Sequence, residues 1–417
     1  MEQRKAWLDN IRWMTIVIVV IYHVFYYYHN IGVDPMFKGL APNPAVEGGK
    51  AAVTPVALFQ YFVYPWFMML LFVVSGIVAN IVLKKKNLKA FLSERVNKLL
   101  VPSTLGILTM QWLGGYLISF NYFTADEKAG IPGFVRYLIY CVTGIGALWF
   151  CHVLFVCCLL LALIKKIDKN DLLTTLGSKA SLPVLFLLTI VVIGAAQLLN
   201  TPITTYRMCL YPLAFLLGYY VFSNETVQLT IKKYAWLFLI IGIIADIAYI
   251  FKDYGQYYAD HAVQNDPIAV AAAWFMVLGI LGMAQQLLNF SNTFTAYMSK
   301  AGWGIYIIHI NVMLLTNTLL KPIAGTVPMC VIYLIELVTA FGASILLWEI
   351  FRRIPVVRWL LLGIRVSVQN RSERNRVDRK NMIQECKNPI VEDDFHGFLH
   401  RNCEGTEQLR IRGKKHV

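Results

Sequence analysis

Residues 10–25, NIRWMTIVIVVIYHVF, place an arginine and a histidine inside a run of apolar residues that is typical of a membrane span. About 20 consecutive apolar residues are needed for a helix to cross the hydrocarbon core of a bilayer. Runs near this length recur along most of the chain, separated by short polar or charged segments. We expect about ten spans, at residues 11–29, 58–83, 99–121, 143–164, 181–199, 207–222, 234–251, 267–288, 303–320 and 328–350.

The composition supports this interpretation. Hydrophobic residues make up 58% of the chain and charged residues 15%, whereas about 25% charged residues is usual for a soluble domain. Because unpaired backbone groups are costly in lipid, the spans should be helices. The sequence therefore predicts an all-α, polytopic transmembrane helix bundle that is embedded in a lipid bilayer.

The formal net charge of +14 would suggest a nucleic-acid partner in a soluble protein. Here the lysines and arginines collect in alternate loops, for example at 84–98 and 165–179. Cytoplasmic loops of membrane proteins are enriched in these residues. We therefore expect both termini in the cytoplasm, a multi-pass protein of the inner (cytoplasmic) membrane and no nucleic-acid partner.

The composition changes near residue 364. Residues 1–363 form the predicted integral membrane domain, and the segment that follows is charged and lacks periodic apolar positions. Such segments cannot bury enough apolar surface to fold. We expect residues 364–417 to be a basic, disordered cytoplasmic tail.

Arg12 and His23 lie on one face of the first span, about 16 Å apart along the helix axis. Ionisable residues inside spans are expensive and are candidate functional sites. A neutral imidazole at His23 is suited to general base catalysis on a hydroxyl group. The alternatives are a headgroup anchor for Arg12 and an interhelical hydrogen bond for His23.

A second cluster lies in FLSERVNKLLVP, residues 91–102. Arg95 and Lys98 are three positions apart and share a helix face, and Pro102 predicts a kink or a helix start one turn later. Several cations at one cytoplasmic opening form a phosphate site. The alternative is a basic run that only determines topology.

Trp149, His152 and His309 are three weaker candidates for contacts with the oxyanion or the acceptor. His152 shares a helix face with Trp149, and His309 shares one with Tyr306. Either histidine can instead be packed and hydrogen-bonded within the core. No spacing of cysteines resembles a zinc site, so we predict no metal.

Four segments together carry a family resemblance. LDNIRWMTIVIVVIYH (8–23), FLSERVNKLLVP (91–102), LWFCHVLFV (148–156) and GIYIIHINVML (304–314) resemble the membrane-bound acyltransferase 3 family, in particular its glucan-modifying type. The family's arginine and histidine of the first span are matched by Arg12 and His23. Its basic pair before a proline is matched by Arg95 and Lys98, although Lys98 stands where arginine is more usual and a lysine cannot form a bidentate fork.

The resemblance implies transfer of an acyl group, from a cytoplasmic acyl-CoA such as acetyl-CoA or succinyl-CoA, to a hydroxyl on the far side of the membrane. The acceptor would be a glycan or a lipid-linked sugar of the cell envelope. No permanently bound cofactor is implied. His23 would be the general base and Arg12, Arg95 and Lys98 would bind the donor, while direct transfer and an acyl-histidine intermediate both stay open. A multi-span transporter of a small anionic or sugar substrate is the alternative function.

Overall fold

A computed structural model describes residues 5–28, 54–122, 124, 130–323 and 326–364. In this part of the chain, regular structure is helical apart from one isolated antiparallel bridge between Asn200 and Arg207. The α-helices, in chain order, are α1 (Ala6–Tyr28), α2 (Pro55–Val63), α3 (Phe67–Leu83), α4 (Leu88–Arg95), α5 (Val101–Gly106), α6 (Trp112–Tyr122), α7 (Gly133–Thr143), α8 (Trp149–Ile167), α9 (Leu172–Ser178), α10 (Leu182–Gln197), α11 (Leu210–Tyr220), α12 (Glu225–Lys233), α13 (Ala235–Asp253), α14 (His261–Gln264), α15 (Pro267–Leu287), α16 (Thr293–Leu320), α17 (Met329–Phe351) and α18 (Pro355–Leu362).

The all-helical, multi-pass prediction is confirmed. Among the described residues, seven helical segments are long and apolar enough to cross a membrane, and the number becomes eight if α9 and α10, which are bent by 120°, count as one span. The seven segments are Ala6–Tyr26, Pro55–Leu83, Gly146–Ile167, Ala235–Asp253, Pro267–Leu287, Thr293–Ile323 and Met329–Phe351. The count of about ten and the cytoplasmic termini stay predictions.

The three other predicted spans are interrupted, bent or short. The span predicted at 99–121 is broken by π-helical turns at Val96–Leu100 and Ile107–Gln111. Pro102 explains the first of them, because it lacks a backbone N–H and its ring collides with the carbonyl four residues earlier. The span predicted at 181–199 follows the bend between α9 and α10, and the one predicted at 207–222 is the 11-residue helix α11.

Helix α16 lies at the centre of the bundle. It packs against α1, α6 and α17, and its residues from Gly304 to Leu314 are all buried. Its start is defined by a capping box, in which the Asn292 side chain accepts from the Thr295 backbone and the Thr295 side chain accepts from the Asn292 backbone. A histidine on this helix is therefore placed in the interior.

Helices α3 and α11 cross with their backbones in close contact. A Cβ atom at Gly76 would lie 2.0 Å from the Phe215 carbonyl oxygen, and one at Gly218 would lie 2.1 Å from that of Val73. Small residues permit such approach between membrane helices. The glycines therefore determine how tightly this pair packs.

The two ends of the bundle differ in chemistry. Helices α1 and α3 run in opposite directions, with the rings of Tyr22 and Phe67 in contact. We call the end where α1 begins and α3 finishes the basic end, and it carries Lys84, Lys86, Lys98 and Lys165. We call the opposite end the tyrosine end, and it carries Tyr22, Tyr26, Tyr64, Tyr257 and Tyr258. Apart from Ile364, the tail predicted at 364–417 lies outside the described residues.

Candidate active site

His23 of α1 and His309 of α16 form a hydrogen-bonded pair. The Nδ1 atom of His23 lies 3.1 Å from the Nε2 atom of His309, and the ring centroids are 5.1 Å apart. His309 is fully buried, whereas His23 is only half-buried. His23 is therefore the more accessible member of the pair.

The hydrogen bonds assign the protons on the two rings. The Nδ1 atom of His309 lies 3.1 Å from the carbonyl oxygen of Ile305, and a carbonyl can only accept. In a neutral imidazole, Nδ1–H leaves Nε2 as an acceptor, so the Nδ1–H of His23 donates to it. The remaining Nε2 atom of His23 then carries a lone pair. The sequence predicts His309 as a contact for the oxyanion or the acceptor, and in the structure its Nε2 atom is hydrogen-bonded to His23.

The buried side-chain amide of Gln111 forms hydrogen bonds with α16 on both sides of His309. Gln111 donates to the carbonyl oxygen of Ile307 (3.2 Å) and accepts from the side chain of Asn311 (2.9 Å). Gln111 lies in the second π-helical turn, which aims it at α16. Sequence reasoning missed this contact, although a glutamine and an asparagine inside apolar spans are a signal that interhelical partners exist.

Arg12, Arg95 and Lys98 lie close enough for their charges to act on one another. The charge of Arg12 interacts with those of Asp9 and Arg95, and the charge of Lys98 interacts with those of Arg95 and Arg12. The side chains of Arg12 and Lys98 are not covered by other described residues to the extent that Arg95 is. We call these three residues the basic cluster.

Arg95 has an incomplete set of partners. Its guanidinium lies 4.8 Å from the centroid of the Phe91 ring. Its Nε atom is buried and has no hydrogen-bond partner among the described residues. A buried N–H without an acceptor is costly, and an anionic ligand can supply the acceptor. The basic cluster therefore has the composition of a phosphate site.

A group of hydrogen-bonded tyrosines begins at Tyr22, the residue before His23. The Tyr22 hydroxyl donates to that of Tyr258 at 2.9 Å, and the Tyr22 ring lies 5.3 Å from the His23 ring. The hydroxyls of Tyr26 and Tyr257 are 3.2 Å apart. The pKa of Tyr258 is raised well above its ordinary value, mainly by burial and to a smaller extent by the charge of Tyr257, so its hydroxyl stays neutral. These contacts attach the connection between α13 and α14 to the end of α1.

His152 and Trp149 belong to a different contact. The Nε2–H of His152 donates to the Ser103 carbonyl oxygen (2.7 Å), and its Nδ1 accepts from the Tyr206 hydroxyl (3.1 Å). The Trp149 ring packs against Tyr206 and Tyr211 with centroid distances of 5.9 and 5.7 Å. Both nitrogens of His152 are thus occupied, as in the core alternative, and no described contact joins these two residues to the His23–His309 pair.

Comparison with known proteins identifies relatives of the chain. Residues 5–349 match the family described as Acyltransferase domain, the acyltransferase 3 group. Glucans biosynthesis protein C of Shigella boydii serotype 4 is 23% identical over 383 residues, which cover 87% of this chain and 95% of that protein. The protein of the same name from Escherichia coli K12 is 23% identical over 381 residues, with the same coverage. No solved structure matches the chain significantly.

Proposed function

Because this chain belongs to the acyltransferase 3 family and is a membrane acyltransferase, we propose that it is an O-acyltransferase that moves an acyl group from cytoplasmic acyl-CoA to a hydroxyl of an extracytoplasmic glycan. The observation that carries this proposal is the hydrogen bond between His23 and His309, which leaves the Nε2 lone pair of His23 available. The family match to acyltransferases favours this function over the transporter.

The donor enters from the basic end, which faces the cytoplasm in this proposal. Arg12, Arg95 and Lys98 bind the phosphates of CoA, because clustered cations form strong charge-assisted hydrogen bonds with phosphate oxygens. His23 lies about 16 Å further along the same face of α1 as Arg12. The flexible pantetheine arm spans this distance and brings the thioester carbonyl to His23.

The acceptor enters from the tyrosine end. Half-buried Tyr26, Tyr64 and Tyr257 present aromatic rings there, and tyrosine combines an apolar face with a polar tip that suits an amphipathic ligand. The relatives are named for the biosynthesis of glucans. These two observations favour a glycan, with its apolar ring faces and hydroxyl groups, as the acceptor.

The chemistry follows from the assigned protons. Nε2 of His23 removes the proton from the acceptor hydroxyl, and the oxygen attacks the thioester carbonyl. The tetrahedral intermediate collapses with cleavage of the carbon–sulfur bond, and the thiolate takes the proton from His23, which yields the ester and free CoA. His309 accepts from Nδ1–H throughout, so it orients the ring and stabilises the imidazolium. General base catalysis of this kind contributes about 10²- to 10⁴-fold to the rate.

The test is release of free CoA thiol by the protein in nanodiscs, with acetyl-CoA and succinyl-CoA compared and a soluble glucan as acceptor. We expect His23→Ala to bind donor normally and to turn over at least about a hundredfold more slowly. His396→Ala, a histidine of the predicted tail, is the control and should match the wild type. Equal rates for wild type and His23→Ala would refute the general-base role.

A further inference from the structure

A cavity at the basic end has no assigned role in the transfer reaction. Its volume is about 400 Å³, within the range of about 300–1,000 Å³ that is usual for small-molecule sites. It lies between the ends of α3, α8 and α11 and the starts of α4 and α9. Three lysines and one carboxylate line it, namely Lys84, Lys86, Lys165 and Asp171. Asp171 pairs with Lys165 at 3.3 Å and Lys86 pairs with Glu94, so among the described residues the lining keeps one unpaired positive charge, at Lys84.

The wall of the cavity contains an unsatisfied acceptor. Asn80 is only 8% exposed, and its Nδ2 donates to the Tyr219 carbonyl oxygen at 3.2 Å. Its Oδ1 atom is buried and has no hydrogen-bond partner among the described residues. A buried acceptor that is left without a donor destabilises the protein. The cavity therefore combines positive charge with a buried oxygen that lacks an N–H donor.

The cavity adjoins the basic cluster. Lys86, one of its lining residues, forms an ion pair with Glu94. The charges of Glu94 and Lys86 both act on Lys98. Lys86 of the lining therefore lies within electrostatic range of Lys98 in the basic cluster.

We propose that this cavity binds the 3′-phosphorylated adenosine of coenzyme A. Asn80 Oδ1 accepts a hydrogen bond from the adenine amino group, and Lys84 and Lys165 bind the ribose phosphate. The diphosphate then reaches Arg95 and Lys98, and the pantetheine arm continues toward His23. This assignment rests on the proposed acyl-CoA donor, and it names a subsite that is separate from the basic cluster.

The first test measures binding of adenosine 3′,5′-bisphosphate by calorimetry, with the full chain in neutral phosphatidylcholine nanodiscs. We expect Lys84→Ala and Lys165→Ala each to weaken binding about tenfold, because each loses a charge-assisted hydrogen bond. Lys85→Ala and Lys166→Ala are matched controls, since these neighbours do not line the cavity, and should stay within about twofold. Equal binding by all variants would overturn the proposal.

The second test compares acetyl-CoA with acetyl-pantetheine, which lacks the nucleotide. Lys165→Ala should raise KM for acetyl-CoA about tenfold and leave KM for acetyl-pantetheine unchanged, whereas an equal change for both donors contradicts the subsite. The wild type could release no thiol and still bind the bisphosphate, with weaker binding in the Lys84→Ala and Lys165→Ala variants. That result would refute acyl-CoA as the donor and would support the nucleotide site. The binding is also measured in nanodiscs that contain anionic lipid. If anionic lipid abolishes binding of the bisphosphate, the cavity binds a lipid headgroup and the proposal is overturned.

Discussion

The Nε2 atom of His309 lies 3.1 Å from the Nδ1 atom of His23, although the two residues are 286 positions apart in the chain. Because His309 donates its own Nδ1–H to the Ile305 carbonyl, it can only accept from His23 while both rings are neutral. These two hydrogen bonds thus leave the lone pair of His23 on its Nε2 atom. The consequences for function can be tested one residue at a time.

Removal of the acceptor at His309 should lower kcat. We expect His309→Ala to reduce kcat about 10- to 100-fold, the same size of effect as losing a partner that orients a metal-binding histidine, with KM for acyl-CoA unchanged. His309→Gln should recover part of the rate, because its amide oxygen can still accept from His23. Thiol-release kinetics measure both parameters. If the two variants lose activity equally and both unfold at lower temperature, His309 only packs the core.

The basic cluster should control donor binding rather than chemistry. We expect Arg95→Ala and Lys98→Ala each to raise KM for acyl-CoA about tenfold, with a smaller effect in high salt because mobile ions screen the charges. Lys98→Arg should lower KM, because arginine grips phosphate with two parallel N–H groups. Lys89→Ala, an exposed position of the same helix, is the control. A matching rise in KM for Lys89→Ala would mean that only the general surface charge matters.

His152 should affect stability more than activity. His152→Ala leaves the Ser103 carbonyl without its side-chain donor, and we expect a loss of about 1–3 kcal/mol in the free energy of unfolding. The rate of thiol release at low temperature should change less than about threefold. Thermal unfolding in detergent and the activity assay together measure the two effects. A hundredfold loss of activity at an unchanged Tm would instead support the oxyanion role.

The contact between α3 and α11 should not tolerate a side chain. We expect Gly218→Leu to lower the free energy of unfolding by about 1–3 kcal/mol or more. The Cβ atom of the new leucine alone would overlap the Val73 carbonyl and force the helices apart. Gly194→Leu is the control, since no atom lies within 4 Å of a Cβ built at that position. The measurement is the Tm of each variant in the same detergent. Equal Tm values would mean that the two helices separate at little cost.

Much of the fold could be predicted from hydrophobic run length alone. Seven predicted spans coincide with helices long enough to cross a membrane, because lipid requires each segment to satisfy its own backbone. The three other predicted spans differ from single long helices. The first, at 99–121, is interrupted, the second, at 181–199, follows a sharp bend, and the third, at 207–222, is short. Pro102 predicts a kink or a helix start in the first of these. The hydrophobicity of the sequence carries no information on the bend between α9 and α10 or on the length of α11.

The sequence by itself determined the membrane class and the family. It also gave the candidate residues His23, Arg12, Arg95 and Lys98, because an ionisable group in or next to an apolar span is costly and can be recognised without knowledge of the fold. Only the tertiary structure decided which groups meet. It paired His23 with His309, placed His152 in hydrogen-bonding contact with Ser103 and Tyr206, and formed the open cavity next to Asn80. Hydrogen bonds act over about 3 Å between helices far apart in the chain, and hydrophobic periodicity gives the face of a helix but not the neighbour that covers it.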